Sequence, residues 1–175
     1  MPVLLKAIFK KIVAQTFLSV YTIQLLPLLK IYKRNLPHWE LPDSVYFITF
    51  NLITGKLNDD EIILIRNHMI EGDNKFYDLY AAVVMNNHAH VILKPIQNYT
   101  LSRIMKGIKG VSANKINENR KTKGSLWQDE SFDRIIRDEK EFNEKLEYMF
   151  NNPIKAGITE DTWTYKGWFF NERLF

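Results

Sequence analysis

At 175 residues, with 46% apolar and 13% aromatic side chains, the chain can bury one sizeable α/β core and lacks the composition of a disordered protein. It contains no cysteine, which excludes disulfides, thiolate zinc sites and a cysteine nucleophile and points by default to a reducing, cytoplasmic setting. A formal charge of +4 is a modest basic bias, compatible with a polyanionic partner without requiring one.

The first 34 residues read as an extension. The stretch from Ile12 to Leu29 is uncharged and follows Lys6, Lys10 and Lys11, imitating a signal or anchor segment. Its glutamines and hydroxyls, Pro27 and the lack of a small-residue cleavage site argue against a membrane role. The domain proper is expected over residues 35–160. Residues 161–175 form a C-terminal tail whose sequence does not decide between packing on the domain and forming a partner surface.

Within the domain, strand and helix signals alternate. Tyr46, Ile48, Phe50 and Leu52 fall on one face of a first strand and Phe47, Thr49 and Asn51 on the other. Asn58-Asp59-Asp60-Glu61 reads as a capping box, continued at helical spacing by Ile62, Ile65, Met69 and Ile70. A second strand is expected over 77–85, and Asn86-Asn87 suits a tight hairpin into a third. That third strand carries His88-Ala89-His90. Side chains alternate across a strand, so the two imidazoles share a face with α-carbons roughly 6.7 Å apart, close enough for one metal ion. They could equally be two solvated strand histidines.

A helix follows from Leu101 to about Lys109, with Gly110 leaving its continuation open. Leu101, Ile104, Met105 and Ile108 make one arc, and Arg103, Lys106 and Lys109 the opposite one. Lys115, Arg120, Lys121 and Lys123 continue the basic character, either as a solvated face or as phosphate contacts. The segments 125–128 and 132–136 suggest a fourth strand or an irregular hairpin. Asp138 and Glu141 form another capping box. Phe142, Leu146, Met149 and Phe150 give the last helix its apolar stripe. Tyr148 lies roughly 145° from the centre of that stripe, which is no place for a core tyrosine. Asn152 sits one turn on, beside it. Pro153 biases Asn152 away from helical geometry, so the helix is expected to end or kink there.

The motifs Asn35-Leu36-Pro37-His38, Tyr46-Phe47-Ile48-Thr49-Phe50, Asn87-His88-Ala89-His90-Val91-Ile92, Met105 to Gly110, Trp127 to Arg137 and Tyr148 to Gly157 resemble, in this order, the single-tyrosine HUH transposases. The resemblance is strongest to the REP-associated tyrosine transposases of bacteria. It implies an α+β, ferredoxin-like or RRM-like antiparallel sheet with helices packed on it. It further implies His88 and His90 as the metal pair, Tyr148 as the nucleophile, and Asn152 as the third ligand, with Mg2+ or Mn2+ bound and no nucleotide cofactor. The substrate implied is a single-stranded DNA hairpin, nicked and rejoined through a 5′-phosphotyrosine, by a monomer or homodimer. Arg103, Lys106, Lys109, Lys115, Arg120, Lys121 and Lys123 are the candidate DNA contacts. Two rivals stand beside this reading: a non-catalytic single-strand-binding module derived from a transposase, and a metal-dependent phosphodiesterase that uses water.

Overall fold

A computed structural model describes residues 30–33 and 37–174. The extension read over 1–34 lies outside the described residues except for β1 (Lys30–Lys33), which pairs antiparallel with β2 (Pro37–Glu40). The elements that follow are β3 (Tyr46–Asn51), α1 (Asp59–Gly72), β4 (Tyr77–Val84), β5 (His88–Pro95), α2 (Leu101–Arg120), β6 (Phe132–Ile135), α3 (Glu139–Lys155) and β7 (Trp168–Phe170). Five of the strands form one antiparallel sheet in the order β6-β3-β5-β4-β7. The run β3-α1-β4-β5-α2-β6 with this strand order is the split βαβ of ferredoxin-like folds. Among the described residues no helix is long and apolar enough to cross a membrane.

Both faces of the sheet are covered. Tyr46, Ile48, Phe50, Leu79, Val91 and Leu93 bury one face beneath α1 and α2, against Ile65, Met69, Ile104 and Ile108. Phe47, Ala81, Val83 and Ile92 bury the other beneath Phe142, Leu146, Met149 and Phe150 of α3. Two-sided burial explains why β4 and the end of β5 read as continuous apolar runs rather than as alternating ones. Each fully buried aliphatic side chain contributes roughly 1.5–3 kcal/mol, so the two layers together fix the strand register.

Local signals set the helix starts. Asn58 caps α1 with a complete capping box, its side chain accepting from the Glu61 N–H while the Glu61 carboxylate accepts from its own. Asp138 caps α3 through the Glu141 N–H. The expected reciprocal bond is replaced, because Glu141 turns its carboxylate to the guanidinium groups of Arg134 and Arg137.

Three readings left open by the sequence are decided here. First, α2 runs to Arg120, through Gly107 and Gly110, because Ile116 is buried and Ser112 accepts a 3.0 Å bond from the Trp127 indole. Second, α3 continues through Pro153 to Lys155. Proline there removes the N–H that the Met149 carbonyl would accept; one residue on, the Phe150 carbonyl accepts the buried Thr162 hydroxyl at 2.6 Å. Third, of the fourth strand or irregular hairpin expected over 125–128 and 132–136, the strand forms, as β6, and the two segments do not pair with each other. Both lie along β3, Trp127 bridging Leu52 and β6 pairing with Tyr46 to Thr49.

Residues 161–175, read as a tail, supply the edge strand β7. The Tyr165 hydroxyl donates to the Val84 carbonyl at 2.7 Å, and Asn171 donates to Leu79 and Asp73. Gly167 lets this segment approach closely, since a Cβ there would fall 2.3 Å from the Val84 carbonyl oxygen.

Arg120, read as a DNA contact, is engaged in an ion pair. It binds the Glu61 carboxylate at 2.5 and 2.7 Å and donates to the Lys56 carbonyl, tying the end of α2 to the start of α1. Burial pushes the Glu61 and Glu141 carboxyls up, but their arginine partners and backbone N–H bonds hold both below the usual carboxylate range. Arg120→Ala is expected to lower the unfolding free energy by about 2 kcal/mol in urea titrations, since it strands a buried carboxylate. A loss under about 0.5 kcal/mol would put Arg120 among ordinary surface residues.

The depressed carboxyls also set an acid dependence. Their contribution is complete above the unfolded glutamate pKa of about 4.3 and is lost as pH falls through the folded values. A Glu61→Gln/Glu141→Gln variant is expected to be less stable than the wild type at neutral pH, with the gap closing below about pH 4. A gap unchanged in acid would assign the loss to shape rather than charge.

Candidate active site

β5 brings His88 and His90 to the sheet face covered by α3, while Ala89 and Val91 enter the opposite core. The β3–β5 register sets Thr49 opposite His90 and Asn51 opposite His88. His90 is 3% exposed; its Nδ1 bonds the Thr49 hydroxyl at 2.7 Å. The Nδ1 of His88 bonds the Asn87 side-chain oxygen, also at 2.7 Å. Both rings are thereby held through Nδ1, so Nε2 is the nitrogen of each that can offer a lone pair, the arrangement that orients imidazole ligands in metal sites.

α3 crosses above the pair. Its apolar stripe sits on Phe47, Val83 and Ile92, which leaves the flank bearing Tyr148 and Asn152 over the histidines. The Asn152 side-chain amide lies 3.1 Å from His90 Nε2. Turning that amide over would present its oxygen at the same place, since the two ends are sterically alike. The Tyr148 ring is 5.2 Å from the His90 ring and 6.2 Å from Phe47, edge to face in both contacts. The His88 and His90 rings are 4.8 Å apart. Tyr148 is 45% exposed, unlike the apolar residues that anchor its helix.

Desolvation, with the charge of His88 adding to it, pulls the His90 imidazole down to about 3; burial also lowers His88. Both rings are therefore neutral near pH 7 and keep a lone pair for a cation. Among the described residues no group of three or more His, Cys, Asp or Glu side chains is placed to hold a metal. The donor set that does converge is two imidazoles and one amide, and it fits a divalent ion that needs open positions for substrate oxygen.

The structure thus gathers His88, His90, Tyr148 and Asn152, but it does not gather the basic residues around them. α2 packs on the other face of the sheet. Arg103 there lies over the Tyr99 ring at 5.1 Å. Lys106 and Lys109 line a cavity of about 690 Å³ between α2 and the segment before β6. Lys109 is half-buried and donates to the Asp129 carbonyl and the Ser131 hydroxyl, and burial lowers its pKa. Lys115, Lys121 and Lys123 are exposed further along. Thr49, Asn87, Phe47 and Lys145, whose ammonium sits 5.3 Å over the Phe47 ring, were not singled out in the sequence. Thr49 was legible only through the strand pairing that puts it opposite His90.

Comparisons with known proteins bear on the fold and the family. A solved structure described as a REP-associated tyrosine transposase bound to a REP hairpin superposes with a TM-score of 0.63 at 21% identity, covering 78% of this chain and 81% of that one. The likeness is one of fold: an α+β domain with a five-stranded antiparallel sheet. No curated protein matches the sequence. The family model described as "Transposase IS200 like" matches residues 52–151, more than half of the chain and spanning His88, His90 and Tyr148. The chain belongs to the IS200-like transposase family.

Proposed function

We propose that this protein nicks and rejoins single-stranded DNA at hairpin sequences through a covalent 5′-phosphotyrosine on Tyr148, in DNA transposition. The observation that carries the reading is the convergence of an exposed tyrosine and an asparagine, one turn apart on α3, upon two imidazoles whose Nδ1 atoms are already engaged. A structural tyrosine would have no need of such neighbours. The hairpin bound by the solved relative supports the substrate class.

A divalent cation, Mg2+ or Mn2+, held by Nε2 of His88 and His90 and the amide oxygen of Asn152, would supply Lewis-acid polarisation of the scissile phosphate. Tyr148 does the covalent work. Its oxygen attacks phosphorus as its proton passes to water, and the bond to the 3′ oxygen breaks, that oxygen taking a proton from water to leave as a 3′ hydroxyl. Phenol, with a parent pKa near 10, is a far better leaving group than an alcohol. A second 3′ hydroxyl can therefore displace it and rejoin the strand without a nucleotide cofactor. Thr49 and Asn87 hold the rings, and Phe47 backs both His90 and Tyr148.

Tyr148→Phe is expected to abolish both nicking and the covalent DNA adduct while leaving hairpin affinity within about twofold, because only a hydroxyl off the apolar stripe is lost. Nicking that survives in this variant, read on denaturing gels, would assign the attack to water and favour the phosphodiesterase reading. Intact binding with no adduct in the wild type would favour the non-catalytic module.

Removing either His88 or His90 is expected to abolish cleavage, and chelator-treated wild type should regain activity on adding Mg2+ or Mn2+. Asn152→Ala should cost less, since water replaces a neutral oxygen ligand more readily than an imidazole. Equal cutting in excess chelator would sink the metal assignment.

On the N-terminal half of α2, Arg103 and Lys106 are the candidate phosphate contacts open to solvent. Neutralising both should flatten the salt dependence of binding by roughly 0.7–0.9 log units in slope per lost contact, with sequence preference retained. An unchanged slope in a salt titration would return them to the solvated face.

A further inference from the structure

Phe132 opens β6 with 54% of its surface exposed, and no packing in either core accounts for it. Its register places it. Phe132 pairs with Thr49, and Thr49 pairs with His90, so the three share one row across the sheet. Directly paired residues project to the same face, which is the face of His88, His90 and Tyr148. Two strand spacings separate Phe132 from His90, roughly 10 Å. Its neighbours Ser131 and Asp133 project to the opposite face, where they line the cavity beside Lys106 and Lys109. β6 is an edge strand. Phe132 therefore stands on the rim between the basic helix on one side of the sheet and the tyrosine helix on the other.

We infer that Phe132 is a base-stacking platform: an unpaired nucleobase near the scissile phosphate lies on its ring as the strand turns over the β6 edge into the site. The inference rests on the single-strand reading above. The chemistry favours a base over other ligands because every nucleobase offers a π-face and a ring at a sheet surface offers another, without any hydrogen-bond code. The support is firm. Lys109 ties down the segment leading into β6 through Asp129 and Ser131, and Arg134 on the same strand is fixed by Glu141.

The test uses the full chain and two readouts: affinity for a dye-labelled pool of random-sequence single-stranded DNA, and covalent adduct formation on a hairpin with unpaired flanks. Phe132→Ala is expected to weaken binding of the pool by about 5- to 150-fold, the range for losing one stacked base, with an unchanged melting temperature. Phe132→Trp should restore it. On a strand of abasic residues of the same length, wild type and Phe132→Ala should bind alike, which a lost structural role would not produce. Equal affinity of wild type and Phe132→Ala for the base-bearing pool overturns the platform even if adducts form. Absence of any adduct in the wild type, with the stacking effect intact, overturns the transposase chemistry and leaves the platform standing.

Discussion

The antiparallel register between β3 and β5 is the constraint on which the site depends. It is a match of parity. Because side chains alternate along a strand, a slip of one residue would send His88 and His90 into the core under α1 and α2 and carry Ala89 and Val91 to the face of α3. Thr49 would then no longer meet His90, and Tyr148 would overlook aliphatic side chains. Apolar burial on both sheet faces excludes that slip, since Ala89, Val91 and Leu93 on one side and Ile92 on the other would exchange environments at once.

The same burial sets the chemistry of the histidines. An imidazole as enclosed as His90 loses hydration, costing about 1–3 kcal/mol where the polar atoms go unpaired. Thr49 at Nδ1 and Asn152 near Nε2 offset that loss, and the lowered pKa keeps the ring neutral. A metal ligand must be neutral, so packing and the proposed function pull the same way here. α3 divides its labour similarly: Phe142, Leu146, Met149 and Phe150 anchor the helix, which frees the Tyr148 flank to stay exposed without endangering the fold.

Much of this was legible in the sequence because it depends on local periodicity. Alternation in 46–52 and 88–93 placed the faces, helical spacing in 139–150 set Tyr148 off the stripe, and Asn58 with Glu61 marked a helix start. What local pattern could not show was partnership at a distance. Gly107 and Gly110 each cost a helix roughly 1 kcal/mol by propensity; tertiary burial of Ile108 and Ile116 outweighs them, and no Cβ-sized neighbour explains either glycine. Arg120 looked like one more surface cation, yet its partner Glu61 lies in another helix. The C-terminal strand was equally hidden, for its pairing with Ala81 to Val83 joins residues far apart in the chain.

The separation of charge from chemistry shapes how this fold can work on a nucleic acid. A basic helix beside the tyrosine would let one groove supply both attraction and reaction. Here the sheet intervenes: Arg103 and Lys106 belong to the layer of α2, and Tyr148 to the layer of α3. Electrostatic attraction acts over about a Debye length, near 8–10 Å at physiological salt, so on the proposed function the α2 cations would hold a strand near the molecule without fixing where it is cut. Position must come from short-range contacts on the α3 face. The face supplies them in a single row of β3, β5 and β6 residues, held rigid by the pairing that aligns the histidines. Capture and alignment are thereby separable properties, and the β6 edge is the place where the two meet.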